Sequence, residues 1–268
     1  MAESTNAQPT GAAAFFDVDN TVIRGAAAYH LARELYRRHF FSTMDIARFG
    51  VLQARYLLFG ESKKDIENVK DRALGLIAGR TVAEVTAVGE DVYDQVIQLR
   101  IYPGSKKLIE THLAHGDQVW FVTAAPVEIG GLIAKRLGAT GCLGTEAEHI
   151  KGVYTGKMKS GMMHGTAKAE AISELAEREG IDLAESSAYG DSVNDLPMMQ
   201  AVGNPCPINP DRKLRIFARD AGWPIREFRG RGYRMRNRSL QTASAAGAAW
   251  GIGVAYRAIK RFVEGRSH

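Results

Sequence analysis

Short apolar runs bounded by turn residues alternate along the chain with stretches whose apolar positions recur every three or four residues. The runs AAAFFDVD (12–19), QVWFVTA (118–124), a weaker GCLGTEAE (141–148) and SSAYGDS (186–192) predict strands. KKLIETHLAHG, VEIGGLIAKRLG and AKAEAISELAEREG predict helices. Strands alternating with helices predict an α/β core, a parallel sheet covered by helices on both faces. Residues 26–100 differ, with helical periodicity only, in blocks near 27–40, 44–59, 63–78 and 82–99 separated by FST, GES and GRT. That texture predicts an all-helical cap over 25–102, hinged at Arg24-Gly25 and Tyr102-Pro103-Gly104 and inserted into a catalytic core over 12–24 and 103–227.

With 268 residues and 45% hydrophobic content, the chain can bury a core and still carry such an insert. Its net charge of +5 is unevenly spread: residues 228–268 carry +8 and the rest carries −3. The body shows no nucleic-acid recognition motif or basic-aromatic patch, so no nucleic-acid partner is expected. The opening MAESTNAQPTG lacks the basic start and apolar stretch of a signal peptide, and Cys142 and Cys206 lack metal spacing. Both observations point to a reducing cytoplasm.

In a parallel sheet the reactive groups belong beyond the carboxyl ends of the strands. Three strand ends carry them: Asp17, Asp19 and Thr21 in DVDNT, Thr123 in FVTAAP, and Asp191, Asn194 and Asp195 in GDSVND. Clustered carboxylates raise one another's pKa unless a cation sits among them, and oxygen ligands of this kind suit Mg2+. An aspartate can attack phosphorus, a second carboxyl can protonate the leaving alcohol and then activate water, and phosphoryl transfer otherwise needs mainly charge neutralisation. Asp17 suits the first role and Asp19 the second. Thr123 offers a hydroxyl, Ala124 a backbone N–H, and Lys168 a positive charge on the helical face of Ile172 and Leu175, near a helix N-terminus where a cation is favoured only if an anion faces it.

DVDNT, Thr123, Lys168 and GDSVND, in that order, resemble the four signature motifs of the haloacid dehalogenase-like hydrolases. The resemblance implies a Rossmann-like core with Asp17 as nucleophile. It also implies magnesium held by Asp17, the main-chain carbonyl of Asp19, and Asp191, with Thr21, Asn194 and Asp195 supporting the phosphate and metal sites. The helical insert resembles the cap of the phosphoserine phosphatase-like subgroup, class IB. An acid at Asp19 favours phosphatases or mutases over dehalogenases, which need no proton donor there, and over transport ATPases, which place Thr there. A magnesium-dependent phosphate-monoester hydrolase is the reading adopted. A phosphomutase, or an idle scaffold binding a membrane or partner, is the alternative.

The expected partner is a small phosphorylated metabolite. Arg72 matches the cap arginine that holds a substrate carboxylate in this subgroup, whereas the glutamate that holds the amino group of phosphoserine is replaced by Ala26. A histidinol phosphate, a sugar or polyol phosphate, or a lysophospholipid also fits. The tail, RGRGYRMRNR followed by a small-residue stretch with Leu240, Ala243, Gly247, Trp250 and Val254 on one stripe, offers peripheral contact with an acidic membrane. A disordered tail, or a helix packed on the core or on a second subunit, is the competing reading of that segment.

Overall fold

The computed structural model describes residues 11–40, 75 and 77–229. Two compact units share them. The first holds the chain up to Ala32, Val85–Glu146 and Ser160–Phe228, and the second holds the described parts of Arg33–Glu84 with Ala147–Lys159.

The first unit is built on a five-stranded parallel sheet. Its strands are β1 (Ala13–Phe16), β2 (Gln118–Pro126), β3 (Gly141–Thr145), β6 (Ser187–Tyr189) and β7 (Asn204–Pro205), in the order β3-β2-β1-β6-β7. β1 is central, with Phe16 level with Phe121 on one side and with Tyr189 on the other. Every residue of β1 is buried, as a strand covered on both faces requires. Ala13 and Phe15 join Val122 and Ala188 against α5 (Thr166–Glu179), α6 (Leu196–Gln200) and α7 (Arg212–Asp220), through Ile172, Leu175, Met198, Met199 and Leu214. On the opposite face Phe16 stacks on Tyr189 at 4.3 Å and meets His112 of α3 (Pro103–His115) edge-on. α4 (Val127–Arg136) lies close to the sheet on that side, since a side chain on Gly130 would meet Thr123 and Cys142. This is the Rossmann-like α/β arrangement.

The chain leaves the sheet through residues 22–24 and returns antiparallel through 100–102. Ile23 pairs with Ile101, Arg24 N–H donates to the Arg100 carbonyl at 2.8 Å, and Tyr102 N–H donates to the Val22 carbonyl at 2.9 Å. α1 (Ala27–Arg37) follows the exit. α2 (Val82–Val92) runs into a π-helical turn at Tyr93–Ile97 and a 3-10 turn at Gln98–Arg100 before the return. Thr81 and Glu84 close a reciprocal cap at the start of α2, the pattern T-x-x-E.

In the second unit β4 (Ala147–Ile150) and β5 (Val153–Met158) form an antiparallel hairpin, and the 79–82 segment bonds alongside it through Gly79, Arg80 and Val82. GCLGTEAE is therefore two strands in different sheets rather than one. The stretch YTGKMKSG supplies most of β5. The predicted helical blocks at 44–59 and most of 63–78 lie outside the described residues. Among the described residues no helix is long and apolar enough to cross a membrane.

Candidate active site

β1 and β6 end side by side, and their last shared bond runs from Asp17 N–H to the Tyr189 carbonyl at 2.8 Å. By the two-residue period of a strand, the Asp17 side chain falls on the Phe15 side, toward α5. Lys168 comes from the first turn of that helix and is buried on the same face as Ile172 and Leu175. Its Nζ donates to Asp17 Oδ1 and to Asp195 Oδ1, each at 2.6 Å. One ammonium thus joins the loop after β1 to the loop after β6.

The loop after β6 is folded around Asp195. Its Oδ2 accepts from the N–H of Asp191 at 3.2 Å and from the N–H and hydroxyl of Ser192 at 3.1 Å each, closing a capping box at the 3-10 turn Val193–Asp195. Gly190 is required here because any side chain on it would lie 2.5 Å from Asp195 Cβ. Asn194 is exposed on the same turn.

Around the other loop, Asp19 Oδ1 accepts from the N–H of Ala27 at 2.8 Å, which ties it to the start of α1. Ser105 donates to the Thr21 carbonyl at 2.5 Å, while Thr21 Oγ1 is buried without a hydrogen-bond partner. Thr123 is fully buried on β2, and its oxygen accepts from Ala125 N–H at 3.1 Å, which leaves its O–H to donate elsewhere. The strand continues past Ala124 to Pro126 with a break in register, so the turn into α4 comes two residues later than the sequence pattern suggests. Thr145 fixes that turn by donating to the Ala124 carbonyl at 2.9 Å. Arg72 lies outside the described residues.

Carboxylate oxygens of Asp17, Asp191 and Asp195 lie within 4.8 Å of one another. Burial pushes Asp17 up to about 7, with Asp195 and Asp19 adding to the rise and Lys168 opposing it. Burial also raises Asp19, against the pull of the Ala27 N–H and Lys168. For Lys168 burial favours the neutral form, but Asp17 and Asp195 outweigh it and hold the ammonium charged. Four aspartates around one lysine leave an excess of negative charge, and hard oxygen donors at this spacing fit a hard divalent cation.

The sequence reading passed over Asn209, Asp211 and Ser105. Asn209 and Asp211 sit in INPDRKL, where Asp211 is legible as a helix N-cap, and its Oδ1 does accept from Leu214 N–H at the start of α7. Their contacts with the loops after β1 and β6 leave no local signal.

Residues 14–200 match the model of the haloacid dehalogenase-like hydrolases. The chain is 48% identical over 219 residues to phosphoserine phosphatase SerB1 of Mycobacterium tuberculosis, covering 81% of this chain and 71% of that protein. It is 32% identical over 259 residues to probable phosphatase Rv3661 of the same organism, covering 93% of this chain and 90% of the relative. A crystal structure of a protein of unknown function from Bordetella pertussis Tohama I superposes with a TM-score of 0.72 at 28% identity, over 81% of this chain and 99% of that one. The chain belongs to the haloacid dehalogenase-like hydrolases. Within them it is a phosphatase of the phosphoserine phosphatase-like kind, a phosphoric monoester hydrolase.

Proposed function

We propose that this phosphatase hydrolyses a small organic phosphate through an aspartyl-phosphate on Asp17, with magnesium held by Asp17, the main-chain carbonyl of Asp19, and Asp191. The observation that carries the reading is the buried Lys168 bridge between Asp17 and Asp195 beside Asp191. Lys168 takes Asp17 Oδ1, so Oδ2 is the oxygen that attacks phosphorus as the bond to the leaving oxygen breaks. Asp19, held protonated more readily than an ordinary carboxyl, gives its proton to that oxygen. As a carboxylate it then takes a proton from the water that attacks the phosphoryl group, which releases phosphate and restores Asp17. The Thr123 hydroxyl, the Ala124 N–H, Asn194 and Lys168 bind the phosphate oxygens. Bound magnesium would neutralise charge on those oxygens in the transition state. Asp195 has both oxygens engaged and orders the site rather than binding the ion.

The name of the M. tuberculosis relative supports a phosphoserine-like substrate, while Ala26 offers no carboxylate to an amino group. A panel of phosphoserine, histidinol phosphate, sugar and polyol phosphates and a lysophospholipid, at equal concentration, tests the class. EDTA should abolish hydrolysis and added Mg2+ restore it, and Asp17→Asn should remove turnover from a folded protein. EDTA-insensitive hydrolysis contradicts the magnesium assignment, and retained turnover in Asp17→Asn contradicts the nucleophile.

A further inference from the structure

The loops that carry Asp17 and Asp191 leave neighbouring strands at the point where ladder hydrogen bonding stops, so the sheet alone does not fix one against the other. The segment Asn209–Asp211 touches both. Asn209 is fully buried with φ 50°; its Nδ2 donates to the Asn20 carbonyl at 3.1 Å and its Oδ1 accepts from Phe228 N–H at 2.7 Å. Asp211 N–H donates to the Asp191 carbonyl at 2.7 Å, and its Oδ2 accepts from Val193 N–H at 3.2 Å. Its Oδ1 meanwhile caps α7 through Leu214 N–H at 2.7 Å.

We infer that Asn209 and Asp211 are positioning residues that lock the Asp17–Thr21 loop and the Asp191–Asp195 loop in one register, and so set the spacing of Asp17 and Asp191 around the cation. The inference rests on the magnesium reading above. The residue types fit the task. An amide presents a donor for the Asn20 carbonyl and, on a separate atom, an acceptor for the Phe228 N–H, and a carboxylate has two oxygens for two separate N–H groups. Groups behind the ligands of a metal commonly change its affinity by roughly 10–100-fold when removed.

Two variants separate this role from simple support of the fold. Asp211→Ser keeps a side chain that caps α7 but has one oxygen, which cannot also serve Val193. Asn209→Gly keeps the left-handed backbone and removes both amide bonds. Calorimetric titration of the metal-free full chain with Mg2+ should show a dissociation constant raised roughly tenfold or more in each variant. The melting temperature of metal-free Asp211→Ser should stay close to the parent's, and saturating Mg2+ should recover most of its kcat. If Asn209→Gly fails to fold, Asp211→Ser alone decides. Parent-like Mg2+ affinity in the folded variants overturns the positioning role and leaves the magnesium reading standing. A parent chain that binds no Mg2+ overturns both.

Discussion

Asp17 is pulled in two directions by its surroundings. Burial and the neighbouring carboxylates raise it from 3.8 to about 7, while Lys168 draws it down. Between about pH 4 and 7 the folded metal-free chain therefore holds a proton on Asp17 that the unfolded chain releases. A carboxyl raised in this way lends relative stability at low pH that is lost as pH rises through that window. Asp17→Asn removes the loss, so its gain in melting temperature over the parent, both without metal, should be larger at pH 8 than at pH 5. Equal differences at the two pH values would contradict the assignment. On the proposed magnesium site, Mg2+ should raise the parent's melting temperature at pH 8, because it would bind the folded state. At this scale the carboxylates were legible because Asp17 and Asp191 follow apolar runs where a buried strand must end. Asn209 was not, because its partner Asn20 is 189 residues away and nothing in the local pattern refers to it.

Among the elements, β1, β2 and β6 were readable as apolar runs bounded by turn residues, and α3, α4 and α5 from helical period, since burial of one face imposes it, whereas α6 and α7 were not among the predicted helices. The hairpin of β4 and β5 was hidden. Its two turn residues, Lys151 and Gly152, both have positive φ, 50° and 78°, as a tight hairpin turn demands, yet Lys-Gly lacks the Asn-Gly or Asp-Gly signature that announces such a turn. β7 is two residues long, too short for any alternation to show. The turn after β6 is specified more tightly than its sequence suggests, because Gly190 leaves the room that Asp195 occupies. Gly190→Ala should displace that carboxylate and cost about 1–3 kcal/mol, the usual penalty of an overpacked site. Chemical denaturation would show it, and an unchanged midpoint would mean that the loop can yield.

For the molecule as a whole, Phe228 brings the far end of the described chain to the support of the site. Its N–H holds Asn209, and its ring covers Gly104 so closely that any side chain there would collide with it. A chain ending after Arg229 should melt higher and bind Mg2+ more tightly than one ending after Glu227. Equal behaviour of the two chains would remove Phe228 from the support of the site. The central place of β1 has a consequence for synthesis. One side of this apolar strand pairs with β6, and the Ala13 N–H bonds Ser186, 173 residues later. At translation speeds of about 5–20 residues per second, that edge waits on the order of ten to thirty seconds for its partner. A nascent chain of this phosphatase thus carries a fully apolar strand with one edge unpaired until β6 has left the ribosome, the kind of edge that invites pairing with another chain.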